Sequence, residues 1–168
     1  METAIEPIAF GDGKYQLRLT LKQIFEIERS CGFKDHEGIT RPKSIYIMLD
    51  ELEAGLGQQQ DTEQPVYLGG GAAHARDIRE VIRCALIGGN SGFVAGEEIE
   101  VGPGKAQQLV DEYLFPARPL VEGQYIAWAV LNAVIRGVTL KKKAEEAEQP
   151  IAGDSTGGSS SPTADSLD

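Results

Sequence analysis

A mainly α fold is what this sequence predicts: a small bundle of about five helices with an N-terminal β-hairpin and a disordered C-terminal tail. Three observations lead there. Apolar residues recur at i, i+3, i+4 and i+7 in several separate stretches, the spacing of one-sided helices. An Asp-Gly pair lies between two segments of mixed apolar and polar residues near the start, a strong short-range sign of a hairpin. From Gln149 onward the residues are Gly, Ser, Thr, Pro and Asp with almost nothing to bury. The expected division is residues 1–140 as one helical domain and 141–168 as a charged extension and Gly/Ser-rich tail.

Taken in order, residues 5–19 read as the hairpin. Ile5, Ile8 and Phe10 precede Gly11-Asp12-Gly13-Lys14, and Tyr15, Leu17 and Leu19 alternate with Gln16 and Arg18. Thr20 and Gln23 then form a capping box, with Leu19 and Ile24 placed as a hydrophobic staple. Leu21, Ile24, Phe25, Ile27 and Cys31 make the expected inner face of the first helix, which stops at Gly32. Glu28 falls on that apolar face. A carboxylate there is either paired with a cation such as Arg118, Arg136 or Arg18, or is a catalytic acid. No second carboxylate or His accompanies it at readable spacing, which favours the structural role.

Residues 33–42 read as a polar loop. The second helix starts near Pro42, stops at Gly57, and turns Ile45, Met48, Leu49, Leu52 and Leu56 inward. Gln58–Pro65 reads as a solvated loop and Val66–Leu68 as a short extended piece. Gly69-Gly70-Gly71 is not followed by the Lys-Ser/Thr pair of a phosphate loop, so it reads as a hinge or helix entry.

The third helix is expected from about Ala73 to Ile87, with Ile78, Val81, Ile82, Ala85 and Leu86 inward. Arg76, Arg79 and Arg83 line its other side: a solvated face beside Asp77 and Glu80, or a contact for an acidic partner. Residues 93–102 read as a long connection or a short β excursion. A fourth helix from Pro103 or Gly104 buries Ala106, Leu109, Val110 and Tyr113, and Phe115-Pro116 ends it.

The closing helix, Pro119–Val138, is the element the expected bundle is built on. Glu122, Asn132 and Arg136 share one narrow sector of its wheel, and apolar residues cover most of the rest. A surface helix needs an apolar stripe of only roughly 100°, so two or more neighbours must cover this one. Its polar residues exclude a membrane span.

Composition narrows function by exclusion. A net charge of −10 argues against sequence-blind nucleic-acid binding, which needs Lys and Arg on phosphates. Cys31 and Cys84 sit at apolar helical positions and read as reduced core thiols of a cytoplasmic protein. METAIEPIAF lacks the basic and apolar regions of a secretion signal. His36 and His74 have no companions at metal-ligand spacing, and no nucleophile motif or dinucleotide fingerprint occurs. No enzymatic activity, cofactor or metal is therefore expected.

Three stretches together resemble the tail assembly chaperone family of siphophages and gene transfer agents. The first is Tyr15–Gly32, a ribbon running into a leucine-rich helix with a Glu before its terminal Gly. The second is Arg76–Gly89, a middle helix entering a Gly-rich turn. The third joins Ala106–Tyr113, Arg118-Pro119-Leu120 and Ala127–Gly137, a closing helix pair. The resemblance spans about residues 6–138; the Gln-rich segment at 57–71 and the long link at 91–104 depart from it.

What the resemblance implies is a non-enzymatic holdase for the helical tape-measure protein that also helps recruit tail tube subunits. The family has also been described as tail tube or minor tail protein, and a generic helical interaction module is the other alternative. On the holdase reading Ile126, Val130 and Val134 are trench residues on the closing helix, with Trp128 a core anchor or binding hot spot. Arg76, Arg79 and Arg83 are the accompanying charged contact, while Glu28 and Arg118 are structural polar residues. A homo-oligomer is compatible with this role. Lys141–Lys143 also raises the idea of a slippery codon run producing a longer frameshifted form.

Overall fold

The structure, a computed structural model, describes residues 1–139. The helical extension expected over Lys141–Glu148 and the tail beyond it lie outside the described residues.

Ile8–Phe10 (β1) and Gly13–Tyr15 (β2) form the expected hairpin in the register Ile8↔Tyr15. Its two-residue turn is Gly11-Asp12, one residue earlier than the Asp-Gly pair suggests, with Gly11 at φ +63°. Leu21–Ser30 (α1) follows from Thr20, whose backbone N–H donates to Gln23 Oε1 at 3.3 Å. Phe33–Lys34 (β3) and Thr40–Arg41 (β4) make a ribbon of the supposed polar loop. Ile45–Glu53 (α2) is capped by the Ser44 side chain, which accepts from Tyr46 N–H. It ends before Gly55 (φ +74°), two residues short of the Gly57 stop read from sequence.

Leu56–Gln58 (β5) pairs antiparallel with Pro65–Tyr67 (β6), so Leu56, expected on the second helix, lies instead in a strand. β6 overlaps the expected extended piece, and the chain between the two strands falls within the expected loop. Ala75–Gly89 (α3), Gly92–Val94 (β7), Glu97–Ile99 (β8), Pro103–Tyr113 (α4) and Leu120–Arg136 (α5) complete the described chain.

The mainly α expectation is overturned. β1, β2, β7 and β8 form one antiparallel four-stranded sheet in the order β1-β2-β7-β8, and two further ribbons flank the helices, so the fold is mixed α and β. The β7–β8 hairpin turns through Ala95 and Gly96, both at positive φ (49° and 90°), the backbone of a primed two-residue turn. The sequence offers the first hairpin, and for residues 93–102 a short β excursion as one of two readings, but three-residue strands carry too little alternation to reveal which strands pair. Glu97 and Glu98 also hide the pattern, and β2 pairs with β7 across α1, α2 and α3.

The hub of the core is α3 rather than α5. It packs against α1, α4 and α5, while α5 packs on α3, α2 and the β5–β6 ribbon. Ile78, Val81, Ile82, Ala85 and Leu86 are buried on α3 as their spacing predicts. Beyond them Gly88 and Gly89 remain helical because the backbone of Arg18 and Gln16 occupies the space a Cβ would need. Arg18 N–H donates to Ala85 O and Gln16 N–H to Ser91 O, both at 3.0 Å, so the extended segment between β2 and α1 lies directly on the end of α3. Asn90 closes the helix in the left-handed region at φ 48°.

On α1 the expected inner face is only half right. Ile27 and Cys31 are buried and Ile24 is partly covered, but Leu21 and Phe25 are exposed. One neighbouring helix covers a stripe centred on Ile27, and the sector holding Leu21 and Phe25 faces outward.

Candidate functional site

The trench expected along α5 is closed by the chain itself. Val130 is buried, Ile126, Trp128 and Val134 are half-buried, and no residue from 121 to 135 is exposed. The wide apolar wheel is answered by three internal neighbours (α3, α2 and the β5–β6 ribbon), so the pattern needed no outside molecule to satisfy it.

Trp128 alone of the four reaches an open feature. It lines a cleft of about 230 Å³ with Glu53, Leu56, Gly57, Gln58 and Tyr125. Its ring lies 5.6 Å from that of Tyr125, tilted by 34°. The Tyr125 hydroxyl accepts from Gln58 Nε2 at 3.1 Å, whereas the buried Trp128 Nε1 has no acceptor.

The arginine stripe of α3 is committed internally. Arg76 donates to the carbonyls of Cys31 and Gly32 (3.3 and 3.2 Å), completing the end of α1. Arg79 joins Glu80 (2.6 Å) to Asp111 of α4 (2.9 Å), and Arg83 grips Glu80 from the other side (2.7 Å). Glu80 is buried between them. Its hydrogen bonds raise the Arg83 pKa above its ordinary value despite the opposing effect of burial. These contacts hold α1 and α4 onto the hub.

Glu28 has a partner other than those expected. Its Oε1 accepts from Ile45 N–H at 3.1 Å, and its backbone carbonyl accepts from Lys43 N–H at 3.0 Å. The carboxylate thus sits at the N-terminus of α2, where unpaired amides and the helix dipole favour a negative charge. Arg118, one of the cations expected beside Glu28, binds elsewhere. Its guanidinium lies 4.6 Å over the Phe10 ring, and its Nε donates to Tyr113 O at 2.9 Å. Arg136 is bound to Glu53 and Asn132.

One charged group escaped the sequence reading. Lys43 Nζ is buried between Asp77 Oδ2 (2.5 Å) and Glu51, with Asp77 only 2% exposed. Burial alone would lower the ammonium's pKa, but hydrogen bonds to Asp77 and Glu51 outweigh it and raise it. Burial, with Asp77 close by, pushes the Cys31 thiol up to about 12, and burial pushes Cys84 up to about 11. Neither thiol is a nucleophile at neutral pH. Separations of 8 and 34 residues from Lys43 follow no local period, so no sequence rule links these three side chains.

One apolar surface that stays open between two clefts is the outward ridge of α2. Tyr46 and Ile47 are 64% and 51% exposed, beside the exposed Asp50. On one flank Ile47 and Glu51 line a cleft of about 250 Å³ with Phe33 (53% exposed), Cys31, Lys43, His74 and Arg76. On the other flank Glu53 belongs to the Tyr125–Trp128 cleft. Two clefts with aromatic side chains therefore share one short helix as their common wall. Among the described residues no helix is long and apolar enough to cross a membrane, and no His/Cys/Asp/Glu group is arranged to hold a metal ion. No protein-family model, curated protein or solved structure matches the chain.

Proposed function

We propose that this protein is a non-enzymatic tail assembly chaperone that shields apolar helical segments of a tape-measure protein in the bacterial cytoplasm until tube subunits are recruited. The observation that carries this reading is the open apolar ridge of α2 between two clefts. Exposed large apolar side chains grouped beside clefts, as Tyr46 and Ile47 are, make a surface suited to a partner. A ridge with an apolar depression on each side suits an amphipathic helix, whose i, i+3/i+4 and i+7 anchors need neighbouring hollows. The order of the ribbon, middle-helix and closing-helix stretches supports the same role.

The α2 ridge replaces the α5 trench as the contact surface, with Trp128 retained as a wall residue. The test is co-expression with the tape-measure protein of the same genome, which this reading requires to exist, followed by affinity capture. Wild type should retain the tape-measure chain, and Tyr46→Ser/Ile47→Ser should lose most of it while keeping its melting temperature. Failure of wild type to capture the tape-measure chain would end the chaperone reading. Stoichiometric presence of the protein in purified particles would instead make it a structural tail component.

A further inference from the structure

We infer that the α2 ridge selects a basic amphipathic helix, so that the guest is recognised by its charge as well as by its apolar face. The identity of the guest as a tape-measure segment rests on the chaperone reading; its charge follows from the surface alone.

The argument begins with α2 itself. Its nine residues, IYIMLDELE, contain no Lys or Arg, and Asp50, Glu51 and Glu53 are gathered in its last turn. The C-terminal end of a helix carries the negative pole of the macrodipole, so carboxylates there are unfavourable and cations favourable. The fold answers two of the three. Glu51 meets Lys43, and Glu53 meets Arg136 at 2.8 Å. Asp50 is exposed and has no ion pair among the described residues.

The same turn separates the two clefts, and Tyr46 and Ile47 project one turn earlier. A helix laid along the ridge would place apolar side chains on Tyr46, Ile47 and Phe33. Its Lys or Arg residues would then stand over Asp50 and the helix end. The Phe33 cleft is bordered by Lys43, which Asp77 and Glu51 neutralise, and by Arg76. Arg76 keeps its charge while its guanidinium is held at the carbonyls of Cys31 and Gly32, so a basic guest is favoured on the Asp50 side of the ridge rather than over this cleft. An acidic guest would meet Asp50 and the negative helix end, which Arg136, already bound by Glu53, offsets only in part.

The protein carries its own reporter, since Trp128 is its single tryptophan and lines one flanking cleft. The experiment titrates the full chain with two tryptophan-free peptides of the same length and apolar pattern, one Leu/Lys and one Leu/Glu. Trp128 emission and the anisotropy of labelled peptide are followed. The Leu/Lys peptide should bind at least about tenfold more tightly, with affinity falling as salt rises. Asp50→Lys should weaken it about fivefold or more. Tyr46→Ser/Ile47→Ser should weaken it about tenfold, with the circular dichroism spectrum unchanged.

Equal affinity for the two peptides, or full affinity in the folded α2 variants, overturns the inference. Retention of the tape-measure protein by those same variants would sink this site while leaving the chaperone role standing. Selective Leu/Lys binding at α2 without tape-measure capture would do the reverse.

Discussion

Replacing Lys43 by Met would leave Asp77 in the interior without its cation. Breaking a buried ion pair by removing one partner typically costs about 3–5 kcal/mol, because an uncompensated charge stays behind. Lys43→Met should therefore lower the unfolding free energy by about that amount in urea melts, and Lys43→Met/Asp77→Leu should recover a large part of it. The pH dependence has a definite sign. The folded-state pKa of Lys43 is raised, so its contribution is complete below the ordinary lysine value of 10.5 and is lost as pH rises through the higher folded value. Wild type should lose stability over that alkaline window more steeply than Lys43→Met. Glu28 is a smaller case of the same kind. Glu28→Ala removes the acceptor for Ile45 N–H and should cost about 0.5–2 kcal/mol, while Glu28→Gln keeps an oxygen there and should cost less.

At the scale of elements, the end of α3 reverses the usual helix rule. Ala is favoured over Gly inside a helix by about 1 kcal/mol. Gly88→Ala and Gly89→Ala should nevertheless destabilise strongly, because each new methyl collides with the carbonyl oxygen of Arg18 or Gln16. A thermal melt of either variant that rises rather than falls would refute the close approach. The β1–β2 turn is tied down differently. Asp12 accepts from the buried Tyr15 hydroxyl and from Lys105 Nζ (3.1 Å), linking the hairpin to α4. The Tyr15 hydrogen bond chiefly, and then Lys105, hold the Asp12 carboxyl below its ordinary value. That contribution is present above the ordinary aspartate value of 3.8 and disappears as pH falls through the lower folded value. Acid denaturation should accordingly be shallower in Asp12→Asn than in wild type over that range.

For the whole molecule, the two candidate contact surfaces make opposite forecasts. Val130→Asp places a carboxylate at a site only 2% exposed, and should give an unfolded or insoluble protein. Ile47→Asp, on the open ridge, should change stability by no more than about 0.5 kcal/mol and affect only binding. Soluble expression and thermal melts of the two variants separate the α5 trench from the α2 ridge without any partner.

Sequence alone determined the five helices, the first hairpin, the capping of α1 by Thr20 and Gln23, the inward faces of α3 and α4, and that of α2 as far as Leu52. Each of these is written in residues within a few turns of one another, where periodicity and capping chemistry act directly. Only the tertiary structure decided the four-stranded sheet, the role of α3 as hub, the Lys43–Asp77–Glu51 cluster and the enclosure of α5. These depend on pairings across dozens of residues: Tyr15 with Gly92, Lys43 with Asp77, Gln58 with Tyr125. An apolar wheel states how much surface must be covered, as on α5, but not which molecule covers it. The same limit hid the exposed side chains of α1 and α2, because a helical stripe shows where a face begins and leaves its width to the neighbours that arrive.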